Sequence, residues 1–192
     1  MIESVCVYCG SSNNVDDVYK QSAIDLAQSL VKENWTTVYG GASVGLMGLL
    51  ADTALEKGGQ VIGVMVESLV DYELDHKNLT EIHIVPTMHQ RKQKMVDLAD
   101  AFVVLPGGIG TMDEFFEVIT WKQIGLHDKP TVVVNIDGYW DNLTALVSGL
   151  GEKGFMRGNH SHLFTVVDTV EDVADALKAA PSERFDPSTK WI

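Results

Sequence analysis

Apolar and polar residues follow two alternating patterns along this chain. Short runs rich in valine and isoleucine predict β-strands at residues 5–8, 36–39, 60–65, 82–85, 101–105, 131–135 and 163–167. Between them, helical spacing of apolar residues predicts helices at residues 15–32, 46–57, 89–99, 110–124, 139–148 and 170–179. The strand runs are almost continuously apolar, as in parallel strands covered on both faces. The pattern therefore predicts an α/β fold, with helices around a parallel sheet of about seven strands.

The 192 residues fit one domain, which we expect to span residues 1–180. Residues 66–80 follow neither pattern clearly. A tail at residues 181–192 is punctuated by proline and charge, and we expect it to lie over the surface or fray.

Acidic residues outnumber basic residues by 27 to 14, which gives a net charge of −13. A field of that sign repels nucleic-acid backbones and anionic membranes, so we expect neither as a partner. No leader peptide or membrane span is evident, and the sequence predicts a cytoplasmic protein.

Cys6 and Cys9 form a Cys-x-x-Cys pair within a predicted strand and its end. A reactive thiolate is favoured at a helix start, so we interpret the two as plain buried thiols rather than a redox pair. Structural zinc needs four ligands and the chain has two cysteines, so no metal is expected.

Three glycine-containing clusters each follow a predicted strand and precede a predicted helix. They span residues 9–12, 40–48 and 106–111. In a parallel sheet these junctions meet at one edge, where glycine lets the backbone approach a ligand and helix-start N–H groups favour an anion. Some of these glycines could instead make tight turns, but three clusters at one edge favour a phosphate site.

Two common phosphate motifs do not fit these clusters. Gly40 and Gly45 have the spacing of a Walker loop, but Leu46 and Met47 follow where lysine and a hydroxyl residue are needed. A dinucleotide fingerprint would follow the first strand, where Gly10 stands alone. ATP hydrolysis and NAD-dependent redox chemistry are therefore disfavoured.

A local cluster of positive charge interrupts this acidic chain. Arg91, Lys92 and Lys94 lie within four positions of a predicted helix. Met88 and Met95 share a helix face with Arg91 or Lys92, so a charge projects from a partly apolar side, as a ligand contact would. The alternative is a surface helix whose cations are salt-bridged or extend along apolar surface to water.

The helix predicted after the third glycine cluster carries Asp113, Glu114 and Glu117. Acidic residues in a first turn usually complement the helix dipole, but here they also lie beside the proposed phosphate site. Asp113 and Glu114 project about 100° apart, so we expect only one of them to face the ligand.

Residues 106–114, Pro-Gly-Gly-Ile-Gly-Thr-Met-Asp-Glu, resemble the PGGxGTxxE signature of the LOG (Lonely Guy) family. Residues 88–92 resemble its MHxRK element, and residues 117–127 its ExxTWxQLGxH continuation. Members are cytokinin riboside 5′-monophosphate phosphoribohydrolases, often labelled lysine decarboxylases. The resemblance covers about residues 5–155.

The resemblance implies a Rossmann-like three-layer fold and a homodimer. It also implies hydrolysis of the N-glycosidic bond of a cytokinin nucleotide or AMP, to give a free base and ribose 5-phosphate, without a cofactor. Arg91 and Glu114 match the catalytic pair, and Asp113 stands where many members have Glu. The expected substrate-binding residues are Glu73, Met88, Lys92, Gly107, Gly108, Gly110, Thr111 and Thr120, joined by Ser12, Gly41 and Gly45 of the other two clusters.

Chemical reasoning supports those roles for the pair. A carboxylate beside the ribose can stabilise the positive charge that builds on the sugar and orient a water, which we assign to Glu114. Arg91 holds its proton too tightly to act as an acid, but it can orient Glu114 or the substrate. An apolar pocket for the base is expected from Met88, Met95 or Trp121, and its preference for adenine or N6-prenyladenine stays open.

Three alternatives to this enzyme remain. The chain could bind a nucleotide without cleaving it, or carry a phosphorylated cofactor such as a molybdenum pterin. A lysine decarboxylase would need a pyridoxal-phosphate Schiff-base lysine and its electronic partners, and the sequence shows no such constellation.

Overall fold

A computed structural model describes residues 1–70, 75–156 and 163–181. Its strands form one parallel sheet in the order β4-β3-β2-β1-β5-β6-β7. The bounds are β1 (Ser4–Tyr8), β2 (Thr36–Tyr39), β3 (Val61–Val66), β4 (Glu81–Val85), β5 (Ala101–Val104), β6 (Thr131–Val134) and β7 (Thr165–Val167). The predicted parallel sheet of about seven strands is confirmed.

Helices follow the strands in alternation. They are α1 (Asp17–Lys32), α2 (Gly45–Glu56), α3 (Glu67–Val70), α4 (Met88–Leu98), α5 (Ile109–Gln123), α6 (Asp141–Glu152) and α7 (Val173–Ala179). The short α3 lies in the stretch that showed neither pattern. The prediction that a helix begins at residue 139 is wrong, because Asp137 and Gly138 have positive φ and close a 3₁₀ turn before α6.

Helices cover both faces of the sheet, as predicted. Val5 and Val7 of β1 face a core shared with α1, α2 and α7, whereas Cys6 and Tyr8 face a core shared with α4, α5 and α6. This alternation along one strand is what a doubly covered sheet requires, since successive side chains point to opposite faces. The result is a three-layer, Rossmann-like arrangement.

The order in which successive strands join the sheet reverses at β1, although all strands stay parallel. Strands β2 to β4 extend from one side of β1, and β5 to β7 extend from the other. Loops leaving β1 and β5 therefore diverge at the carboxyl edge and leave a crevice between them. Open α/β sheets bind their ligands at such a switch point.

Two further sequence expectations can be compared with the described residues. Cys6 and Cys9 are both free and buried, and burial raises the pKa of each thiol, which disfavours a reactive thiolate. Within residues 1–70, 75–156 and 163–181, no helix has the length and apolar character to cross a bilayer.

Candidate active site

A cavity of about 460 Å³ occupies the switch point of the sheet. Loops and helix starts from both halves of the chain contribute to its walls. Its lining residues are Cys9, Gly10, Ser11, Gly40, Ala42, Val44, Met47, Met65, Leu69, Met88, Arg91, Gly108, Ile109, Gly110, Thr111, Asp113 and Glu114. All three glycine-containing clusters of the sequence thus meet at one cavity.

Arg91 is buried although it carries a charge. Its Nε donates to the Val64 carbonyl oxygen at 2.9 Å, and its Nη1 donates to Glu114 Oε1 at 2.9 Å. A Cβ at Gly40 would collide with the second terminal nitrogen of the guanidinium, so only glycine fits there. The arginine is therefore held by hydrogen bonds to β3 and α5, and the loop after β2 lies close against its guanidinium.

Glu114 lies in the first turns of α5 with its side chain only 12% exposed. Burial raises its pKa, and this effect outweighs the opposing influence of the Arg91 guanidinium. The nearby Asp113 carboxylate raises that pKa further, whereas Lys92 lowers it. A carboxylate with a raised pKa is a better proton acceptor, as a general base requires.

Lys92 forms a second ion-paired cluster beside the Arg91–Glu114 pair. Its Nζ lies 3.0 Å from Asp113 Oδ2 and 3.0 Å from Glu117 Oε1. Burial lowers the pKa of Lys92, but the hydrogen bonds and charges of the two carboxylates raise it, and the net shift is upward. Lys92 is thus held as a cation next to the cavity lining.

The loops after β1 and β2 are bound to each other at the cavity edge. Asn13 Oδ1 accepts a hydrogen bond from the Gly45 N–H at 2.8 Å, and the Gly10 carbonyl accepts one from Leu46 at 3.0 Å. Gly45 has a φ of +59°, and a side chain there would strike the backbone of Ser11. The close approach of the two loops therefore depends on glycine at position 45.

The start of α5 faces the same cavity as the ion pair. Gly108 is the N-cap of α5, and space beside Gly108 and Gly110 is open. A side chain at Gly107 would overlap Thr111, which is buried against it. N–H groups at a helix start and the helix dipole favour an anion, so this end of the cavity suits a phosphate.

The structure brings part of the predicted site together. Six of the predicted residues line the cavity: Arg91, Glu114, Met88, Gly108, Gly110 and Thr111. Five others lie outside the lining: Lys92 in its ion-paired cluster, Gly107 behind Thr111, and Ser12, Gly41 and Gly45 in the two flanking loops. Thr120 is exposed further along α5, and Glu73 falls outside the described residues.

Two expectations about the lining can be compared with the structure. Of the three residues expected for the apolar pocket, Met88 lines the cavity, and which of Asp113 and Glu114 faces the ligand stays a prediction. Met95 is 1% exposed within the core, and Trp121 packs against the same core, so neither reaches the cavity. Asp113 and Glu114 both contribute to the lining, although only one was expected to face the ligand. The cavity is wide enough at the start of α5 for adjacent positions to reach it.

Most of the apolar wall of the cavity was not predicted from the sequence. Met47, Met65, Leu69 and Ile109 line it together with Met88. Met47 and Ile109 lie within the glycine-containing clusters at residues 40–48 and 106–111, so their positions in the sequence could have predicted that they line the cavity. Met65 lies in the strand predicted at residues 60–65 and Leu69 in α3, and neither belongs to a glycine-containing cluster.

This chain is similar in sequence to several known proteins. A family model described as "Possible lysine decarboxylase" matches residues 47–177. A probable cytokinin riboside 5′-monophosphate phosphoribohydrolase of Oryza sativa subsp. japonica is 40% identical over 97% of this chain and 78% of its own length. A cytokinin riboside 5′-monophosphate phosphoribohydrolase of Arabidopsis thaliana is 40% identical over 91% of this chain and 77% of its own. The chain belongs to the LOG family.

Solved structures similar to this LOG-family chain bear on its fold alone. A molybdenum cofactor binding protein from Rippkaea orientalis has a TM-score of 0.71 at 18% identity, covering 93% of this chain and 98% of that one. A Moco carrier protein from Chlamydomonas reinhardtii has a TM-score of 0.69 at 19% identity, covering 93% and 96%. This chain thus shares its fold with proteins named as a molybdenum cofactor binding protein and a Moco carrier protein.

Proposed function

We propose that this chain hydrolyses the N-glycosidic bond of a nucleoside 5′-monophosphate, giving a free base and ribose 5-phosphate. The observation that carries the proposal is the Arg91–Glu114 pair, 2.9 Å apart, in the cavity that the start of α5 also lines. Relatives about 40% identical carry the name of this activity, which supports the same chemistry here.

The phosphate end of the substrate binds at the start of α5. Backbone N–H groups at Gly108 and Gly110 and the Thr111 hydroxyl supply donors, and the helix dipole offsets the overall negative charge of the chain. Binding energy from this remote group then fixes the sugar next to Glu114, where it lowers the barrier to reaction.

Glu114 acts on the sugar and on the attacking water. As the bond from C1′ to the base nitrogen breaks, positive charge develops on the ribose, and the carboxylate stabilises it. The water oxygen forms a bond to C1′ while the electron pair of the C1′–N bond goes to the base. The attacking water gives one proton to Glu114, the base takes up one proton from bulk water, and Glu114 then returns its proton to bulk water. Every atom of this step comes from the substrate, water and Glu114.

Arg91 orients the reacting groups and does not transfer protons. One edge of its guanidinium holds Glu114 in place while Nε remains bonded to the Val64 carbonyl. A lysine could not make both contacts in the same planar geometry. The positive charge of the arginine also lowers the Glu114 pKa, which opposes the larger effect of burial and favours the charged carboxylate.

The base rests against the apolar wall. Met47, Met65, Leu69 and Met88 offer polarizable, adaptable surface that suits a planar base. Side-by-side assays of AMP and its N6-isopentenyl counterpart measure whether a prenyl group improves kcat/KM.

Release of ribose 5-phosphate from AMP, compared with release of ribose from adenosine, tests the proposal. We expect kcat/KM to be at least roughly a hundredfold higher for AMP, because remote binding energy is lost with the phosphate. Equal rates with AMP and adenosine would contradict the phosphate anchor. Absence of turnover with both AMP and its N6-isopentenyl counterpart would contradict the activity.

We also propose that the chain forms a homodimer and works in the cytoplasm. Ile109 at the cavity rim is 78% exposed and Met88 is 44% exposed, which favours cover by a second copy. The two free cysteines suit a reducing compartment. Light scattering coupled to size exclusion measures the mass in solution; a monomer across the micromolar range would contradict the dimer.

A further inference from the structure

A tyrosine outside the cavity lining supports the loop at residues 106–108 from behind. The Tyr139 hydroxyl donates a hydrogen bond to the Gly107 carbonyl oxygen at 2.8 Å. The glycine loop leaves β5, and Tyr139 follows β6, which pairs with β5 in parallel. The two segments therefore emerge side by side at the carboxyl edge of the sheet, where the ligand cavity lies.

The hydrogen bond determines the orientation of one peptide unit. Pro106 and Gly108 offer their carbonyls to backbone N–H groups at 3.0 and 3.1 Å, and the Gly107 carbonyl between them is bonded by Tyr139. In a trans peptide, the C=O and the N–H of one unit point in opposite directions. A fixed Gly107 carbonyl thus directs the Gly108 N–H away from Tyr139, and Gly108 lines the cavity.

Tyr139 is itself held in place. Its ring packs edge-on against Tyr19, with centroids 5.3 Å apart, and against Trp140, with centroids 4.8 Å apart. The backbone before it passes through positive φ at Asp137 and Gly138. Positive φ is uncommon for a residue other than glycine, and such backbone persists where the surroundings fix it.

We infer that Tyr139 is a positioning residue for the phosphate end of the cavity. Its hydroxyl aims the Gly108 N–H at the 5′-phosphate of the substrate, so the inference rests on the proposed function. Glycine at positions 107 and 108 leaves this peptide free to rotate, and the tyrosine removes that freedom without touching the ligand. Loss of the hydroxyl therefore weakens phosphate binding and leaves the chemical step intact.

Tyr139→Phe removes the hydroxyl and keeps the ring. Tyr19→Phe is the matched control, because it removes a neighbouring hydroxyl while preserving the edge-on contact. We expect the Kd of ribose 5-phosphate, measured by calorimetry, to rise roughly fivefold in Tyr139→Phe, the effect of one neutral hydrogen bond. In the same variant the KM for AMP rises to a similar extent and kcat stays within about twofold, because Glu114 and Arg91 are unaffected.

Each outcome of this comparison is decisive. Unchanged affinity in Tyr139→Phe, or an equal loss in Tyr19→Phe, overturns the inference, since the hydroxyl would then contribute nothing beyond packing. Amide hydrogen exchange of residues 106–110 should be faster in Tyr139→Phe than in the control, and equal exchange also contradicts the inference. If the wild-type protein binds ribose 5-phosphate more tightly than Tyr139→Phe does but cleaves no AMP, the proposed function is refuted and the inference is supported. If the wild-type protein does not bind ribose 5-phosphate, both are overturned.

Discussion

Two ion-paired clusters join α4 to α5, one residue apart, and their surroundings differ. Arg91 and Glu114 lie inside the cavity, with side chains 10% and 12% exposed. Lys92 lies between two carboxylates, of which Asp113 is 54% exposed. Both clusters pair a cation of α4 with an acid of α5 at about the same distance, so distance alone does not distinguish them.

The contrast teaches that environment, more than pairing, decides what a charged cluster can do. Burial raises the pKa of Glu114 even though an arginine contacts it, and the carboxylate faces the cavity. In the other cluster, both carboxylates bond Lys92, and the lysine lies outside the cavity lining. We expect chemistry from the first cluster and attachment of α4 to α5 from the second.

The largest difference is expected between Glu114→Gln and Glu117→Gln. The two substitutions are chemically identical and lie one helical turn apart. Loss of the Glu114 carboxylate should lower kcat roughly a thousandfold while ribose 5-phosphate still binds, because the charge that stabilises the sugar is gone. Glu117→Gln should keep most of the activity. A Glu114→Gln protein with near-normal turnover would exclude the proposed mechanism.

Arg91→Ala and Lys92→Met should separate the two clusters by stability. Removal of Arg91 leaves a buried carboxylate and the Val64 carbonyl without their donor, so the free energy of unfolding should fall by about 3 kcal/mol. Lys92→Met keeps the aliphatic stem, and water can reach the partner carboxylates, which are 54% and 22% exposed, so the loss should be smaller, about 1 kcal/mol. Denaturant unfolding measures both, and equal losses would show that the clusters are energetically alike.

Lys92→Met also tests what the family resemblance implies for Lys92. The resemblance implies that Lys92 contacts the nucleotide, and this stays a prediction. A rise in the KM for AMP in Lys92→Met, with kcat unchanged, would support that contact.

The smallest expected effect is on the pH profile. The proposed base is the Glu114 carboxylate, which is lost as the pH falls through its pKa. Because burial raises that pKa, kcat/KM should decline on the acid side at a higher pH than an ordinary glutamate would give. Asp113→Asn removes a neighbouring negative charge that raises the Glu114 pKa, so it should move the acid limb to lower pH. An acid limb unmoved, or moved upward, would contradict this coupling.

Much of the fold could be predicted because local patterns encode it. The continuous apolar runs placed all seven strands to within one or two residues, and the glycine-containing clusters predicted the functional edge. Failures came where the deciding contact is distant in sequence. Helical spacing placed Met88 and Met95 on one face, but only packing against the sheet buries Met95 in the core.

The partners of individual side chains were less accessible. Lys92 bonds Asp113 and Glu117, more than twenty positions away, and no local pattern reports such a pairing. Tyr139 was missed for a different reason. Asp137 and Gly138 signal a turn, but a local turn signal does not reveal that the hydroxyl of the next residue bonds the Gly107 carbonyl, 32 positions away.

The anchor of Arg91 on β3 has an evolutionary consequence. The acceptor for Nε is the main-chain carbonyl of residue 64, which every amino acid supplies. Mutational drift at that position can alter the volume of the side chain without removing the contact. The steric demand of the arginine falls instead on Gly40, where even one added methyl group would compete with the guanidinium for the same space.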